Sequence, residues 1–438
     1  MELLERLSSI FVESTQEACA VPQGAFKEQE RIGNGSNLLA VGDNLEFMRF
    51  LADTRGLKSQ VQFIYIDPPF FSKVNYGSAI KLSYKEQKTI PALKQLSYRD
   101  SWQGGIEDYL RMLCRRLFAM KELLADSGLI CVHLDWHAVH YVKIFMDAVF
   151  GEKNFVNEIV WQYKSGGSSN KRFARKHDTL LLYSKTKDYK FNAIQEKSYN
   201  RGYKPDRFKG VKEYRDEIGW YTAVNMKDVW QIDMVGRTSA ERTGYVTQKP
   251  EALLSRLIEA CTDPGDICAD FFGGSGTMAA AAHKADRKWI YCDIGVSAAL
   301  NAQKRLLSED ADFTVLYDER VRSACDFAVA IEERPSVTSE NIVNIRITDC
   351  KPKDIAKIPV GEADREKIEQ VVQKSPLQLV DYWSVDCNYD GVLHAPQMFE
   401  VKEKGQIACK SEMLCNKKGA ISIRVVDIFG NDAIKVLA

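Results

Sequence analysis

The apolar run Val61–Ile66 constrains the fold of this chain more than any other feature of the sequence. Such a run is typical of a strand that is buried on both faces of a parallel sheet. It is followed directly by Asp67, Pro68, Pro69 and Phe70. Two consecutive prolines lack the N–H groups that a sheet requires, so the strand is predicted to end here. Asp67 then lies at the carboxyl end of a strand, where open α/β sheets bind their ligands.

The residues after this strand carry groups that suit a planar amine. Asp67 and the carbonyl of Pro68 offer two hydrogen-bond acceptors on a stiff backbone, and Phe70 offers a flat apolar face. A nucleobase with an NH₂ group has matching donors and a matching face. The alternative interpretation is a prolyl turn with a solvated Asp67, which requires no ligand.

Size and composition restrict the class of protein. A chain of 438 residues predicts a large α/β domain with at least one smaller unit. No run reaches the length of a membrane span, and the N-terminus lacks the basic region of a signal peptide, so we expect a cytoplasmic protein. The 11 cysteines include no C-x-x-C pair, which indicates reduced thiols. His133, His137 and His140 lie close together, but no cysteine or carboxylate completes a plausible ligand set, so no metal site is predicted.

Charge is distributed unevenly along the chain, although the formal net charge is zero. Residues 164–212 contain fourteen Lys or Arg and only four acidic residues, with aromatic residues between them. This pattern favours a surface that contacts nucleic-acid phosphates over an ordinary solvated face. The candidate contacts are Lys164, Lys171, Arg172, Arg175, Lys176, Arg201, Lys204 and Arg207.

A second motif, at residues 272–277, joins a predicted strand to a predicted helix. Gly274 and Gly276 allow the backbone to approach a ligand closely, and the helix N-terminus favours a negative group. Asp293 ends the next predicted strand and is placed to accept both hydroxyls of a ribose. The spacing fits both a dinucleotide and S-adenosylmethionine, so an NAD-dependent oxidoreductase is an alternative, as is a turn with no ligand. The motif at residues 67–70 favours S-adenosylmethionine, because methyl transfer to a base amine requires acceptors that hold the amine, whereas hydride transfer has no obvious need for them.

Together the two motifs resemble those of the β-class amino DNA methyltransferases, in which the catalytic motif precedes the cofactor motif. The resemblance covers about residues 37–307 and is greatest to the modification subunits of type III restriction systems. Further matching stretches are residues 42–45, 157–161, 177–183, 228–230, 241–245, 247–250 and 425–431. The resemblance implies an α/β fold of the circularly permuted Rossmann-like type, with a seven-stranded, mostly parallel sheet.

The resemblance also implies a division of the chain into functional parts. We expect a catalytic half and a cofactor-binding half of one methyltransferase domain, separated by a basic target-recognition insert. A leader precedes them, and a small β-rich domain with one helix follows. The expected boundaries are 1–36, 37–183, 184–246, 247–310 and 311–438. Residues 71–104 are expected to form a long polar loop within the catalytic half.

The activity implied by the resemblance is methyl transfer from S-adenosylmethionine to adenine N6 in duplex DNA, after the base leaves the stack. Cytosine N4 is the alternative target, and a catalytically inactive DNA-binding subunit is the alternative of another class. The expected partner is double-stranded DNA, and a homodimer and a restriction subunit are further possible partners. The residues implied to be catalytic are Asp67, Pro68, Pro69 and Phe70. The residues implied to bind the cofactor are Asp43, Asn44, Lys249, Asp270, Phe272, Gly274, Ser275, Gly276, Thr277 and Asp293.

Overall fold

The computed structural model describes residues 2–20, 24–80, 93–199, 212–336, 340–358, 360–416 and 420–437. The helices in these residues are α1 (Glu2–Ala20), α2 (Asn44–Asp53), α3 (Ile106–Leu123), α4 (Val139–Phe150), α5 (Glu251–Cys261), α6 (Thr277–Lys284), α7 (Val296–Leu307) and α8 (Glu362–Lys374). The first strands are β1 (Phe26–Ile32), β2 (Asn37–Val41), β3 (Val61–Ile66), β4 (Asn75–Ile80), β5 (Leu93–Arg99), β6 (Leu124–Leu134), β7 (Phe155–Gln162), β8 (His177–Ser184), β9 (Gln195–Tyr199), β10 (Glu213–Arg215) and β11 (Trp220–Asn225). The later strands are β12 (Val229–Gln231), β13 (Ile267–Asp270), β14 (Lys288–Asp293), β15 (Phe313–Asp318), β16 (Cys325–Pro335), β17 (Glu340–Pro352), β18 (Val380–Tyr389), β19 (Met398–Val401), β20 (Lys410–Asn416), β21 (Ala420–Asp427) and β22 (Asp432–Leu437).

A ten-stranded sheet with the order β1-β15-β2-β14-β13-β3-β6-β8-β7-β12 forms the centre of the described structure. Strands β2, β14, β13, β3 and β6 are parallel, whereas β8 is antiparallel to both β6 and β7. These seven strands are the ones that the sequence predicts, and the mostly parallel α/β fold is confirmed. The late strand β13 pairs with the early strand β3, as the permuted order requires. The motifs at residues 67–70 and 272–277 therefore follow neighbouring strands at one edge of the sheet.

Three strands that the sequence does not predict extend this sheet from seven strands to ten. Strand β12 pairs with β7 at one side, while β15 pairs with β2 at the other and β1 covers β15. Strand β1 lies in the predicted leader, where charged residues hide the strand pattern. Only Phe26, Glu30 and Ile32 of this strand are buried. Because one of these three buried residues is an acid, the hydrophobic pattern of the sequence does not indicate a strand here.

The expectation that residues 71–104 form a loop is wrong for β4 and β5, and residues 81–92 lie outside the described residues. Strands β4 and β5 pair with each other antiparallel and form an arm that leaves the main sheet after β3. The arm is polar and pairs only with itself in the described residues, so the sequence shows no hydrophobic alternation that would reveal it.

Helices cover both faces of the main sheet. One hydrophobic core contains buried residues of α1, α2, α3 and α4, and a second contains those of α5, α6 and α7. The apolar stripe of α3 is buried at Tyr109, Leu110, Leu113, Leu117 and Met120, as its helical spacing predicts. With both faces covered, ligands reach this sheet at the ends of its strands.

The remaining strands form smaller sheets. Strands β10, β11 and β9 make a three-stranded sheet within the predicted insert. Near the C-terminus, β16-β17-β20 and β19-β18-β21-β22 form two sheets that share a third core. Cys387 and Cys415 form a disulfide there, which corrects the expectation of reduced thiols throughout, while eight other described cysteines are free. No helix of the described chain is long and apolar enough to cross a membrane.

Candidate active site

Asp67 lies immediately after β3, and its carboxylate is held through one of its two oxygens. Oδ2 forms an ion pair with Nζ of Lys249, which also lies over the Phe70 ring at 5.2 Å from the centroid. Oδ1 is buried and accepts no hydrogen bond from any residue that the structure describes. The sequence predicts Lys249 near the cofactor, but its pairing with an acid 182 positions away has no local signal.

The turn after β13 is organised by two buried carboxylates. Asp270 accepts a hydrogen bond from the backbone N–H of Phe272 at 2.9 Å. Asp293 accepts one from Gly274 at 2.9 Å through Oδ2 and one from Gly295 at 2.7 Å through Oδ1. Burial raises the pKa of both carboxyl groups above the ordinary value for aspartate. Each oxygen of Asp293 keeps a lone pair beyond its backbone bond, so the group retains acceptors for hydroxyl groups.

Gly274 and Gly276 both have a left-handed backbone, with φ of 49° and 73°. Such φ values favour glycine, which has no Cβ. A Cβ on Gly276 would lie 2.8 Å from the Cβ of Ala302, so this glycine allows α6 to pack against α7. Gly273, which the sequence did not single out, is equally constrained, because a Cβ there would lie 2.2 Å from the Tyr291 ring.

One cavity of about 460 Å³ joins the two motifs. All four predicted catalytic residues line it, and so do all the predicted cofactor residues except Gly276. This volume falls within the range of small-molecule sites. Asp67 and the glycine turn are therefore on the walls of the same space, as the sequence predicts.

Two predicted cofactor residues are already engaged in holding the site together. Asp43 caps α2 by accepting hydrogen bonds from Leu45 and Glu46 through Oδ1, and its Oδ2 pairs with Arg116 at 2.7 Å. Asn44 donates to the carbonyl of Phe271 and accepts from Arg116, both at 2.5 Å. Arg116 is buried on the cavity wall and was not predicted. Arg116 lies on α3 and bonds to the residues that begin α2. These two helices are about seventy positions apart in the sequence, so only the fold reveals this contact.

Ser275 and Thr277 are also bonded within the protein. Their hydroxyl oxygens lie 3.0 Å apart, and Thr277 receives a further hydrogen bond of 3.0 Å from Arg305. The Thr277 hydroxyl also donates to the backbone carbonyl of Lys249 at 3.3 Å. These bonds fix the first turn of α6 against the segment that carries Lys249.

Asp100 closes the base of the β4–β5 arm. Its Oδ1 accepts hydrogen bonds from the backbone N–H of Phe71 at 3.0 Å and from the indole of Trp102 at 3.2 Å. Its Oδ2 accepts two from Ser72, each at 2.6 Å. Phe71 has a left-handed φ of 62°, which a residue with a side chain adopts only when its surroundings enforce it. Asp100 thus fixes the backbone that directly follows Phe70.

Five of the predicted phosphate contacts lie in one loop, residues 163–176, between β7 and β8. The start of β8, which follows this loop, lies beside the end of β6, because Thr179 pairs with Leu134. The loop therefore stands at the same edge of the sheet as Asp67. Arg175 stacks on the half-exposed ring of Trp136, 3.4 Å from its centroid, and Trp136 was not predicted. Arg201, Lys204 and Arg207 lie outside the described residues.

The residues on the cavity wall fit an adenosine-bearing ligand. Asp293 offers acceptors to a ribose at the end of β14, and the side chains of Phe272 and Ile294 add apolar surface beside it. The backbone of Gly274 is open to close approach, since a Cβ there meets nothing nearer than 3.4 Å. No group of three or more His, Cys, Asp or Glu in the described chain has the arrangement of a metal site.

Comparison with known proteins defines the class of this site. A family model for N6 and N4 methyltransferases, described as DNA methylase, matches residues 61–304, which are more than half of the chain. The chain therefore belongs to this family of DNA methylases. Membership makes S-adenosylmethionine the methyl donor and an exocyclic amine of a DNA base the acceptor. The predicted resemblance to amino DNA methyltransferases is confirmed.

Individual relatives come from two kinds of restriction-modification system. The chain is 26% identical to the type II methyltransferase M.HpaI of Haemophilus parainfluenzae over 266 residues, which are 60% of this chain and 74% of that protein. It is 25% identical to the type II methyltransferase M.EcaI of Enterobacter cloacae over 359 residues, with 64% and 76% covered. It is 25% identical to the EcoP15I Mod subunit of a type III enzyme from Escherichia coli over 170 residues, with 37% and 26% covered. The two type II enzymes thus match over longer spans than this type III subunit.

Proposed function

We propose that this protein is a DNA adenine-N6 methyltransferase that acts on duplex DNA. The observation that carries the proposal is the shared cavity: Asp67, Pro68 and Phe70 line it together with the glycine turn and Asp293. The family leaves adenine N6 and cytosine N4 open. An aspartate at the first position of the motif favours adenine, according to the resemblance described above.

The first task of the site is to hold the target amine. Asp67 Oδ2 and the carbonyl of Pro68 accept the two N–H bonds of the amino group, which orients its nitrogen lone pair into the cavity. Phe70 stacks on the base, which must leave the duplex because its amine is inaccessible inside the helix. These interactions act through orientation and electrostatics and require no covalent intermediate. S-adenosylmethionine supplies the electrophilic methyl group.

Lys249 determines how the amine reaches Asp67. In the structure this lysine already pairs with Oδ2, the oxygen that faces the cavity. A carboxylate oxygen has two lone pairs, so the amine and the lysine can share Oδ2. Lys249 thereby holds Oδ2 in place for the amine, and it adds a cation beside the Phe70 ring.

The proposed cofactor contacts divide into two groups. Asp293, Phe272 and the backbone of Gly274 contact the cofactor directly. Asp43, Asn44, Asp270, Ser275, Gly276 and Thr277 shape the site through their contacts with other protein groups. Gly274 and Asp293 are also bonded within the protein, but the side of Gly274 without a Cβ and the remaining lone pairs of Asp293 are available to a ligand. This division refines the set of contacts that the sequence suggests.

We also propose that DNA lies across the edge of the sheet that carries Asp67. The loop of residues 163–176 supplies phosphate contacts there, and the insert at residues 184–246 supplies recognition of the target sequence. We also propose a location in the cytoplasm. A restriction subunit is a further possible partner, since the type III relatives are named as Mod subunits of restriction-modification enzymes.

The test measures methyl transfer to long unmethylated duplex DNA from labelled S-adenosylmethionine, followed by digestion and identification of the nucleoside. The wild-type chain should yield N6-methyladenine, and Asp67→Asn should reduce the rate by at least about 100-fold while binding of S-adenosylmethionine is retained. Asp326→Asn, an exposed aspartate on β16 in the C-terminal sheets, is the matched control and should act as wild type. Formation of N4-methylcytosine would reassign the base, and a fully active Asp67→Asn variant would overturn the mechanism.

A further inference from the structure

A chain of buried polar groups lies directly beneath Asp67. His133 is fully buried on β6, the neighbour of β3, and its Nδ1 lies 2.7 Å from the hydroxyl of Tyr65. Its Nε2 lies 3.2 Å from Oδ2 of Asp178 on β8, and Oδ1 of Asp178 receives a hydrogen bond of 3.1 Å from Tyr163. Three adjacent strands thus contribute to one hydrogen-bonded chain that begins next to the catalytic motif.

The partners of His133 assign its tautomer. Asp178 is held as a carboxylate: although burial raises its pKa, hydrogen bonding to His133 and the charges around it bring the pKa below the ordinary value. A carboxylate only accepts, so the proton of the neutral imidazole lies on Nε2. Nδ1 then carries a lone pair, to which the Tyr65 hydroxyl donates.

This tautomer explains the unpaired oxygen of Asp67. Oδ1 lies 3.9 Å from Nδ1 of His133, and the lone pair of Nδ1 accepts from Tyr65, so this side of the ring offers Oδ1 no donor. The oxygen therefore receives no hydrogen bond from below. A carboxylate with fewer donors keeps more negative charge available for the donor at its other oxygen.

We propose that His133 is a positioning residue that sets the acceptor strength of Asp67, with its tautomer fixed by Asp178 and Tyr65. The inference rests on the role given to Asp67 in the proposed function. A proton on Nδ1 would donate to the Tyr65 hydroxyl at 2.7 Å and would also place the positive end of an N–H dipole 3.9 Å from Oδ1. That dipole would draw negative charge away from Oδ2 and weaken its hydrogen bond to the amine. The buried chain prevents this by keeping the proton on the far side of the ring.

The groups around His133 determine which residue should be changed to test this role. The titratable and charged groups around His133 and its partners are Tyr65, Asp67, Cys131, Asp135, Tyr163, Asp178, Lys249 and Asp270. Of these, Asp178 is the acid in direct contact with the ring, so it is the group to change.

The decisive experiment compares Asp178→Asn with the double variant Asp178→Asn/His133→Phe. An asparagine can donate to Nε2 and so move the proton to Nδ1, which should slow single-turnover methylation at pH 8 by about 100-fold, as other supporting partners of active-site groups do. Phenylalanine at position 133 retains a ring but has no proton to place against Oδ1. The double variant should therefore recover to within about fivefold of wild type.

A second readout is independent of activity. The chain has only 6 histidines, so ¹⁵N-labelled histidine spectra can report the tautomer of His133 by comparison with the double variant. Wild type should show a protonated Nε2, and Asp178→Asn should show a protonated Nδ1. Asp326→Asn on β16 should change neither the spectrum nor the rate.

The outcomes separate the two proposals. If wild type methylates DNA and Asp67→Asn does not, but Asp178→Asn keeps the wild-type rate or the double variant stays as slow as Asp178→Asn, the role of His133 is wrong and the proposed function stands. If wild type transfers no methyl group to DNA, the proposed function itself fails. Binding of S-adenosylmethionine by each variant shows that the fold is intact.

Discussion

Replacing Glu30 by alanine is expected to destabilise the junction between the main sheet and the C-terminal sheets. Glu30 is a fully buried residue of β1, and its carboxylate accepts four hydrogen bonds. The donors are Arg424 at 2.6 Å, Tyr382 at 2.6 Å, Ser384 at 2.7 Å and Gln303 at 3.0 Å. Tyr382 and Ser384 lie on β18, Arg424 lies on β21, and Gln303 lies on α7.

The size of the effect follows from what the substitution leaves behind. Without Glu30, the fully buried Arg424 retains Asp432 as its carboxylate partner, at 3.3 Å. Removing one member of a buried ion pair costs about 3–5 kcal/mol, because the other charge stays buried. For the full chain of 438 residues that corresponds to a fall in Tm of roughly 3–5 °C, at an unfolding entropy of about 2.1 cal/mol/K per residue.

The assay is thermal unfolding of the full chain, combined with hydrogen exchange to locate the change in β18 and β21. The double variant Glu30→Met/Arg424→Met should recover most of the lost stability, because apolar side chains of similar volume often replace a buried pair without loss. A fall in Tm of less than about 2 °C for Glu30→Ala would refute the reasoning, since it would mean that Arg424 needs no second acceptor.

Three further predictions concern the turn, the C-terminal sheets and the DNA. Gly273→Ala should abolish binding of S-adenosylmethionine in calorimetry, because the new Cβ would overlap the buried Tyr291 ring. Burial raises the pKa of Asp427 from 3.8 to about 7, so the folded chain holds a proton there that the unfolded chain releases. Its contribution to stability is complete below pH 3.8 and is lost as the pH rises through 7, so Asp427→Asn should flatten the dependence of the unfolding midpoint on pH. Arg172→Gln should reduce the salt slope of DNA binding by about 0.9, as loss of one phosphate contact does, whereas Lys353→Gln should leave it unchanged.

Local patterns predict the seven core strands and both motifs. The apolar run before Asp67 and the glycine turn after β13 are each contained in a few adjacent residues, and their chemistry follows from backbone constraints. The helix at residues 362–374 has the bounds that its spacing indicates. What these features share is that their stabilising contacts are periodic along the sequence.

The features that sequence reasoning missed depend on distant pairing. Lys249 reaches Asp67 and Arg116 reaches Asp43 only because the parallel sheet brings their elements to one edge. Glu30 marks a buried strand although it is an acid, because a partner almost four hundred positions later makes its burial favourable. His133 was considered only as a metal ligand, whereas its role in the structure is set by residues of β3 and β8.

Asp100 ties together the two ends of the excursion that contains β4 and β5. Phe71 and Ser72 on one side and Trp102 on the other converge on this single carboxylate. Both ends of the excursion therefore depend on one side chain next to the reaction centre. Substitution of Asp100 would release both ends at once and remove the support of the backbone that follows Phe70.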